Sequence, residues 1–98
     1  MKSIVIAMLA LTAGIASADQ SLAQKNGCMS CHQIEKKVVG PAYRDVARKY
    51  KGDTQAPAHL VNVIRKGGKG VWGPMPMPAH PQVSDENAKK LAGWILSL

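Results

Sequence analysis

The chain has no phenylalanine, and its large aromatic side chains are only Tyr43, Tyr50, Trp72 and Trp94. So few rings exclude a conventional aromatic core. Cysteine is nearly as scarce: Cys28 and Cys31 are the only two in 98 residues. A bond between them would close a very small ring and staple almost nothing, which excludes a disulfide framework. A zinc site would want a second pair of ligands at similarly short spacing, and the remaining candidates, His59 and His80, stand far apart. Acidic residues number 6 against 13 basic ones. Past the first eighteen residues no apolar run approaches the roughly 20 residues that cross a bilayer, and no alternating pattern reads as a strand.

The first eighteen residues are of a different kind. Met1-Lys2 is a short positive region, Ile4 to Ile15 is almost wholly apolar, and Ala16-Ser17-Ala18 is an A-x-A cleavage pattern. We read residues 1–18 as a secretory signal peptide and residues 19–98 as the mature domain, exported to a periplasm. A retained anchor would need a longer apolar run and a basic stop-transfer cluster after it. Taking Lys2 from the 13 basic residues leaves 12 against 6 acidic, a mature net charge of +6. Such a surface suits an acidic partner. It does not suit nucleic acid here, because the cationic residues are scattered and no recognition motif accompanies them.

Cys28-Met29-Ser30-Cys31-His32 organises the rest. Two thiols three positions apart and an imidazole directly after them have the spacing for covalent attachment of one c-type haem: the cysteines form two thioethers and the histidine takes the iron. A thioredoxin-like dithiol would instead want a strand before the motif and a βαβ unit around it. Neither is present in the pattern. A haem also answers the shortage of core. At about 80 residues a single apolar core rarely supplies more than about 3–5 kcal/mol without a staple, and a large apolar disc can act as its centre.

Helical segments follow from caps and periodicity. Ser21 to Asn26 forms a short helix with Asp19 at its positive end and Gly27 after it; Gln33 to Val39 has no period and reads as a loop. Pro41 opens a helix over Ala42 to Tyr50, ending near Gly52, and Pro57-Ala58 opens another through Leu60, Val61 and Ile64 to Lys66, closed by Gly67-Gly68. Ser84 caps the last helix, with Asp85 and Glu86 on its dipole and Ala88, Leu91, Ala92 and Ile95 at helical spacing; Lys89 and Lys90 lie off that stripe. The expected fold is all-α, four to five short helices around one haem.

Gly67 to Pro81 is the second stretch of chemical interest. Pro74, Pro76, Pro78 and Pro81 fix four φ angles and remove four donors, so the segment is a stiff extended loop. A pre-ordered loop loses little entropy on closing and can hold a weak thioether on iron. Met75 and Met77 are both candidates, whereas Met29, inside the attachment turn, is expected to pack in the core. The glycines at 67–70 lack the G-x-x-x-x-G-K-[ST] spacing of a phosphate loop.

Taken together, Cys28-Met29-Ser30-Cys31-His32, Val39-Gly40-Pro41-Ala42-Tyr43, Gly70-Val71-Trp72-Gly73-Pro74, Pro76-Met77-Pro78 and Leu91-Ala92-Gly93-Trp94 resemble a class I cytochrome c of the short bacterial c-551 type, over essentially all of residues 19–98. The resemblance implies that Met77, the second of the two loop methionines, is the axial ligand opposite His32. It implies that Pro41 offers its carbonyl to the His32 ring and that Trp72 reaches a haem propionate, while Trp94 packs in the core. One departure is visible: this family often carries an aromatic in the N-terminal helix, and residues 19–28 have none.

With both axial positions filled and no base, nucleophile or acid pair elsewhere, the expected function is one-electron transport by a monomer, not catalysis. The resemblance implies acidic redox partners such as a cytochrome bc1 complex, a terminal oxidase or a nitrite reductase, with no stable membrane insertion. Competing readings are a five-coordinate haem that binds peroxide or a diatomic gas after loss of Met77, ligation by His80 or His59, and a haem-free thiol oxidoreductase.

Overall fold

The computed structural model describes residues 19–98. The expected signal peptide at 1–18 lies outside them. Residues 19–25 are helical and are called α1; a single 3-10 turn over Cys28–Ser30 carries the cysteine motif; α2 runs Tyr43–Lys49, α3 Ala56–Lys66 and α4 Asp85–Leu96. Four helices and one turn agree with the all-α expectation. No helix among the described residues is long and apolar enough to cross a membrane.

α4 is the central element and packs against both α2 and α3. Its start is as the residues dictate: Ser84 Oγ accepts the Asn87 amide at 3.0 Å, and Asp85 and Glu86 occupy the first turn. Its apolar stripe, Ala88, Leu91, Ala92, Trp94 and Ile95, is buried. Leu60 and Ile64 of α3 and Tyr43 and Val46 of α2 complete the cluster, with Val61 and Met29 packed against its edge. Trp94 is thus a core residue. Ala23 of α1 is fully buried in the same cluster.

α2 begins later than the proline suggests. Pro41 stands ahead of the cap residue Ala42, whose extended backbone (φ −60°, ψ 142°) brings no side-chain cap. The orphan amides of the first turn find partners elsewhere: Tyr43 N donates to Gln33 O at 2.9 Å and Arg44 N to Ile34 O at 3.1 Å. The loop after the cysteine motif is therefore sewn to the head of α2. Arg44 extends the seam, donating from Nε to Glu35 at 2.7 Å and from Nη1 to the Leu98 carbonyl at 3.0 Å. α3 starts with Pro57 in its first turn, as expected, and is tied to the approach to α4 by Arg65 Nε donating to Val83 O at 3.1 Å.

Leu91 is 1% exposed. Leu91→Ala should cost about 2–5 kcal/mol, and Ser84→Ala about 1 kcal/mol, each read from the shift of the denaturant midpoint at unchanged slope.

Candidate haem centre

The cysteine motif sits in a tight turn. His32 N and Cys31 N both donate to Cys28 O, at 3.0 and 3.2 Å, which brings the two cysteines and the histidine onto one short arc. Both cysteines are half-buried. A thioredoxin-like dithiol would want a strand before the motif, and among the described residues it is a helix, α1, that precedes it.

The chain then doubles back. Val39 N and Gly40 N both donate to Cys31 O, at 3.2 and 2.7 Å, and this fold places residues 40–41 over the His32 ring. His32 Nδ1 lies 2.8 Å from the Pro41 carbonyl. A carbonyl can only accept, so Nδ1 carries the proton and the lone pair resides on Nε2. Burial lowers the His32 pKa below the ordinary histidine value; the Pro41 contact works against this, and nearby His80 adds to it. The imidazole is therefore neutral at pH 7, the form in which a histidine ligates metal. Tyr43 stacks on the same ring at 5.0 Å between centroids with an 18° interplanar angle, and meets Trp94 edge-on at 5.4 Å. Its own phenol is held far above the usual range, chiefly by burial.

The proline-rich loop is pinned at Met77 and again at His80. Met77 N donates to Gly68 O at 2.8 Å and Gly68 N to Met77 O at 3.1 Å, while Met75 is 65% exposed. His80 N donates to Ile64 O at 3.0 Å. His80 is half-buried, and its Nδ1 is buried without a partner. His59 is exposed beside Tyr50. Trp72 is 42% exposed, with Lys49 Nζ 5.7 Å from its ring centroid.

These residues suit a haem. The exposed large apolar side chains, Val38, Val39, Val71, Trp72 and Met75, all belong to the two loops that carry His32's support and Met77. An apolar ring held at the cysteines would cover such surface. Two soft thiols with a neutral imidazole directly after them match c-type attachment. A shallow groove lies elsewhere, between the end of α2 and the C-terminus, lined in part by Arg48, Lys51, Pro57 and Leu98, and holds none of these residues.

Two contributors lie inside the 39–43 stretch, but their roles are not read from the sequence. A Cβ at Gly40 would fall inside the His32 ring envelope, with Nδ1 at 2.8 Å and Nε2 at 2.9 Å. Tyr43's stacking is the other. Both depend on a fold-back of the chain that no local pattern records.

A turn-borne C-x-x-C-H motif with a carbonyl-oriented histidine, in a small four-helix frame, defines a c-type haem protein. Comparison with known proteins agrees. The cytochrome c family model matches residues 17–98. Nitrosomonas europaea cytochrome c-552 is 53% identical over 88 residues, covering 90% of this chain and 85% of that one. Pseudomonas aeruginosa cytochrome c-551 is 49% identical over 88 residues, covering 89% and 84%. The crystal structure of wild-type N. europaea cytochrome c552 superposes with a TM-score of 0.79 at 52% identity, covering 81% of this chain and 98% of that one. The chain belongs to the cytochrome c family, as a class I member of the c-551 type, and carries one haem c through Cys28 and Cys31.

Gly40→Val should displace the His32 ring and break its bond to Pro41. The ring Nδ1–H resonance, slow to exchange in the parent protein, should then exchange with solvent at least about tenfold faster.

Proposed function

We propose that the protein is exported, loses residues 1–18, and works in the periplasm as a one-electron carrier with its iron held between His32 and Met77. The observation that carries this reading is the pair of backbone restraints on the two side chains. His32 is turned by the Pro41 carbonyl so that Nε2 is the free donor, and Met77 is the loop methionine whose backbone is fixed on both its N–H and its C=O. Met75, beside it in sequence, is 65% exposed.

The haem, when bound, supplies reversible one-electron chemistry, and methionine opposite histidine raises its potential. His32 and Met77 would together hold the iron, which would leave oxygen or peroxide no place to bind and disfavour catalysis. The Pro41 carbonyl raises the basicity of His32 through the ring. Trp72, at the apolar edge, is the indole N–H proposed to reach a propionate.

Docking follows from the same two loops. Lys36, Lys37 and Lys69 lie on them. Positive charge there suits acidic redox proteins of the respiratory chain, such as a cytochrome bc1 complex, a terminal oxidase or a nitrite reductase. Charge of this kind steers encounter more than it adds affinity.

Met77→Ala should abolish the weak far-red band of a sulfur-to-ferric-iron bond and let the ferrous protein bind carbon monoxide; Met75→Ala should change neither. Survival of the band in Met77→Ala would sink the ligand assignment. Electron transfer to an acidic partner should slow by about tenfold or more between low and high salt, and a rate indifferent to salt would remove the steering argument.

A further inference from the structure

We infer that Gly67 is a positioning residue for Met77: the missing side chain at the end of α3 lets the 77–79 backbone lie directly against it, and this close approach sets where the thioether is presented. The inference rests on the reading of Met77 as the iron ligand.

Gly67 closes α3 with φ +84° and ψ 173°. A Cβ there would stand 2.7 Å from Met77 O, 3.1 Å from Ala79 N and 3.3 Å from Pro78 C. These are backbone atoms. A side chain in the way could rotate aside, but a backbone can yield only by moving the whole segment. The segment is also tied on both sides of the contact. Gly68 N donates to Met77 O at 3.1 Å, Met77 N donates to Gly68 O at 2.8 Å, and His80 N donates to Ile64 O at 3.0 Å. Between Pro76 and Pro78, Met77 is the residue that still has an amide to give. Moving the segment off Gly67 would strain or break all three bonds, and Met77 would travel with it.

Two neighbouring glycines show that the constraint is local. Gly70 has the same backbone handedness, φ +89°, but a Cβ there meets nothing within 4 Å. At Gly68 a Cβ would touch only the Val63 methyls, at 3.5 and 3.6 Å, which is ordinary contact. Gly67 alone of the three combines a left-handed backbone with a wall of main-chain atoms.

The test uses the haem-loaded protein and four variants: Gly67→Asn, Gly67→Ala, Gly70→Ala and Met77→Ala. At φ +84° and ψ 173° Gly67 lies in a region that glycine alone adopts readily, so both Gly67 variants carry backbone strain together with the Cβ contact, and Gly70→Ala gives the effect of a Cβ at positive φ without such a contact. The readouts are covalent haem content, the far-red band and carbon monoxide affinity of the ferrous form. Both Gly67 variants should keep the haem, lose at least half of the band and bind carbon monoxide at least tenfold more tightly than the parent, while Gly70→Ala stays with the parent. A parent-like band and affinity in Gly67→Asn, when Met77→Ala has lost the band, overturns the inference and leaves the ligand reading standing. A band that survives Met77→Ala overturns both. If neither Gly67 variant accumulates, amide exchange in the parent decides. Slow exchange at Gly68, Met77 and His80 together supports the contact, and exchange there at unstructured-peptide rates overturns it.

Discussion

The hydrogen bond from His32 Nδ1 to the Pro41 carbonyl is the interaction on which the rest of the site depends. Its worth to stability is small, about 0.5–1.5 kcal/mol for a neutral pair. Its worth to chemistry lies in orientation, because it decides which ring nitrogen keeps a lone pair and in which direction that lone pair points. Nothing in the motif itself supplies this. The carbonyl arrives from nine residues downstream because Cys31 O takes two amides from the returning chain, because Gly40 has no side chain to strike the ring, and because the first amides of α2 are satisfied by Gln33 and Ile34. The cysteine turn, the loop and the head of α2 thus form one device. Tyr43, stacked on the far side of the imidazole and set edge-on to Trp94, connects that device to α4.

The same structure shows what the helices do without the cofactor and what they leave to it. α4 buries its stripe against α2 and α3, and even Ala23 of α1 is fully enclosed. That core is made mostly of aliphatic and alanine side chains, as a chain without phenylalanine requires. The large apolar groups outside it are on the two loops. Val38, Val39, Val71, Trp72 and Met75 have no helix to cover them. A chain of this size cannot leave so much apolar surface uncovered at small cost. Covalent haem is therefore a structural part as much as a redox group, and acquiring it is coupled to completing the fold.

The helices were legible because their signals are local. Ser84 with Asp85 and Glu86, Pro57 near the start of α3, and Gly67 after Lys66 each act within a few residues, and each appears where expected. α2 was read one or two residues too early because Pro41 is equally at home ahead of a cap and at a first helical position. What decides between them is its carbonyl's engagement with His32, a contact nine residues away. The burial of His80 is hidden from the sequence for a related reason. Its burial comes from a backbone bond to Ile64, sixteen positions earlier, and no periodicity inside an irregular loop could disclose it. The haem motif was legible in full, since covalent attachment demands residues at fixed short spacing. The small residues that support it were not, because a glycine that makes room for an imidazole looks the same as any loop glycine.

The loop from Gly67 to Pro81 combines opposite tendencies, and their combination explains how its backbone at Met77 comes to be fixed. Its second half is stiffened by prolines, which fix local shape but not position. Its first half holds Gly67, Gly68, Gly70 and Gly73, residues that would let a stiff second half swing as a unit. Proline content alone would therefore give a rigid arm on a loose joint. The pairing of Gly68 with Met77, and the bond from His80 to Ile64, fasten the arm to the end of α3 on either side of Gly67. Backbone bonds to a helix bring the arm into the frame of the core. Stiffness then becomes placement, and Met77 is held by a loop whose backbone is organised from the end of α3.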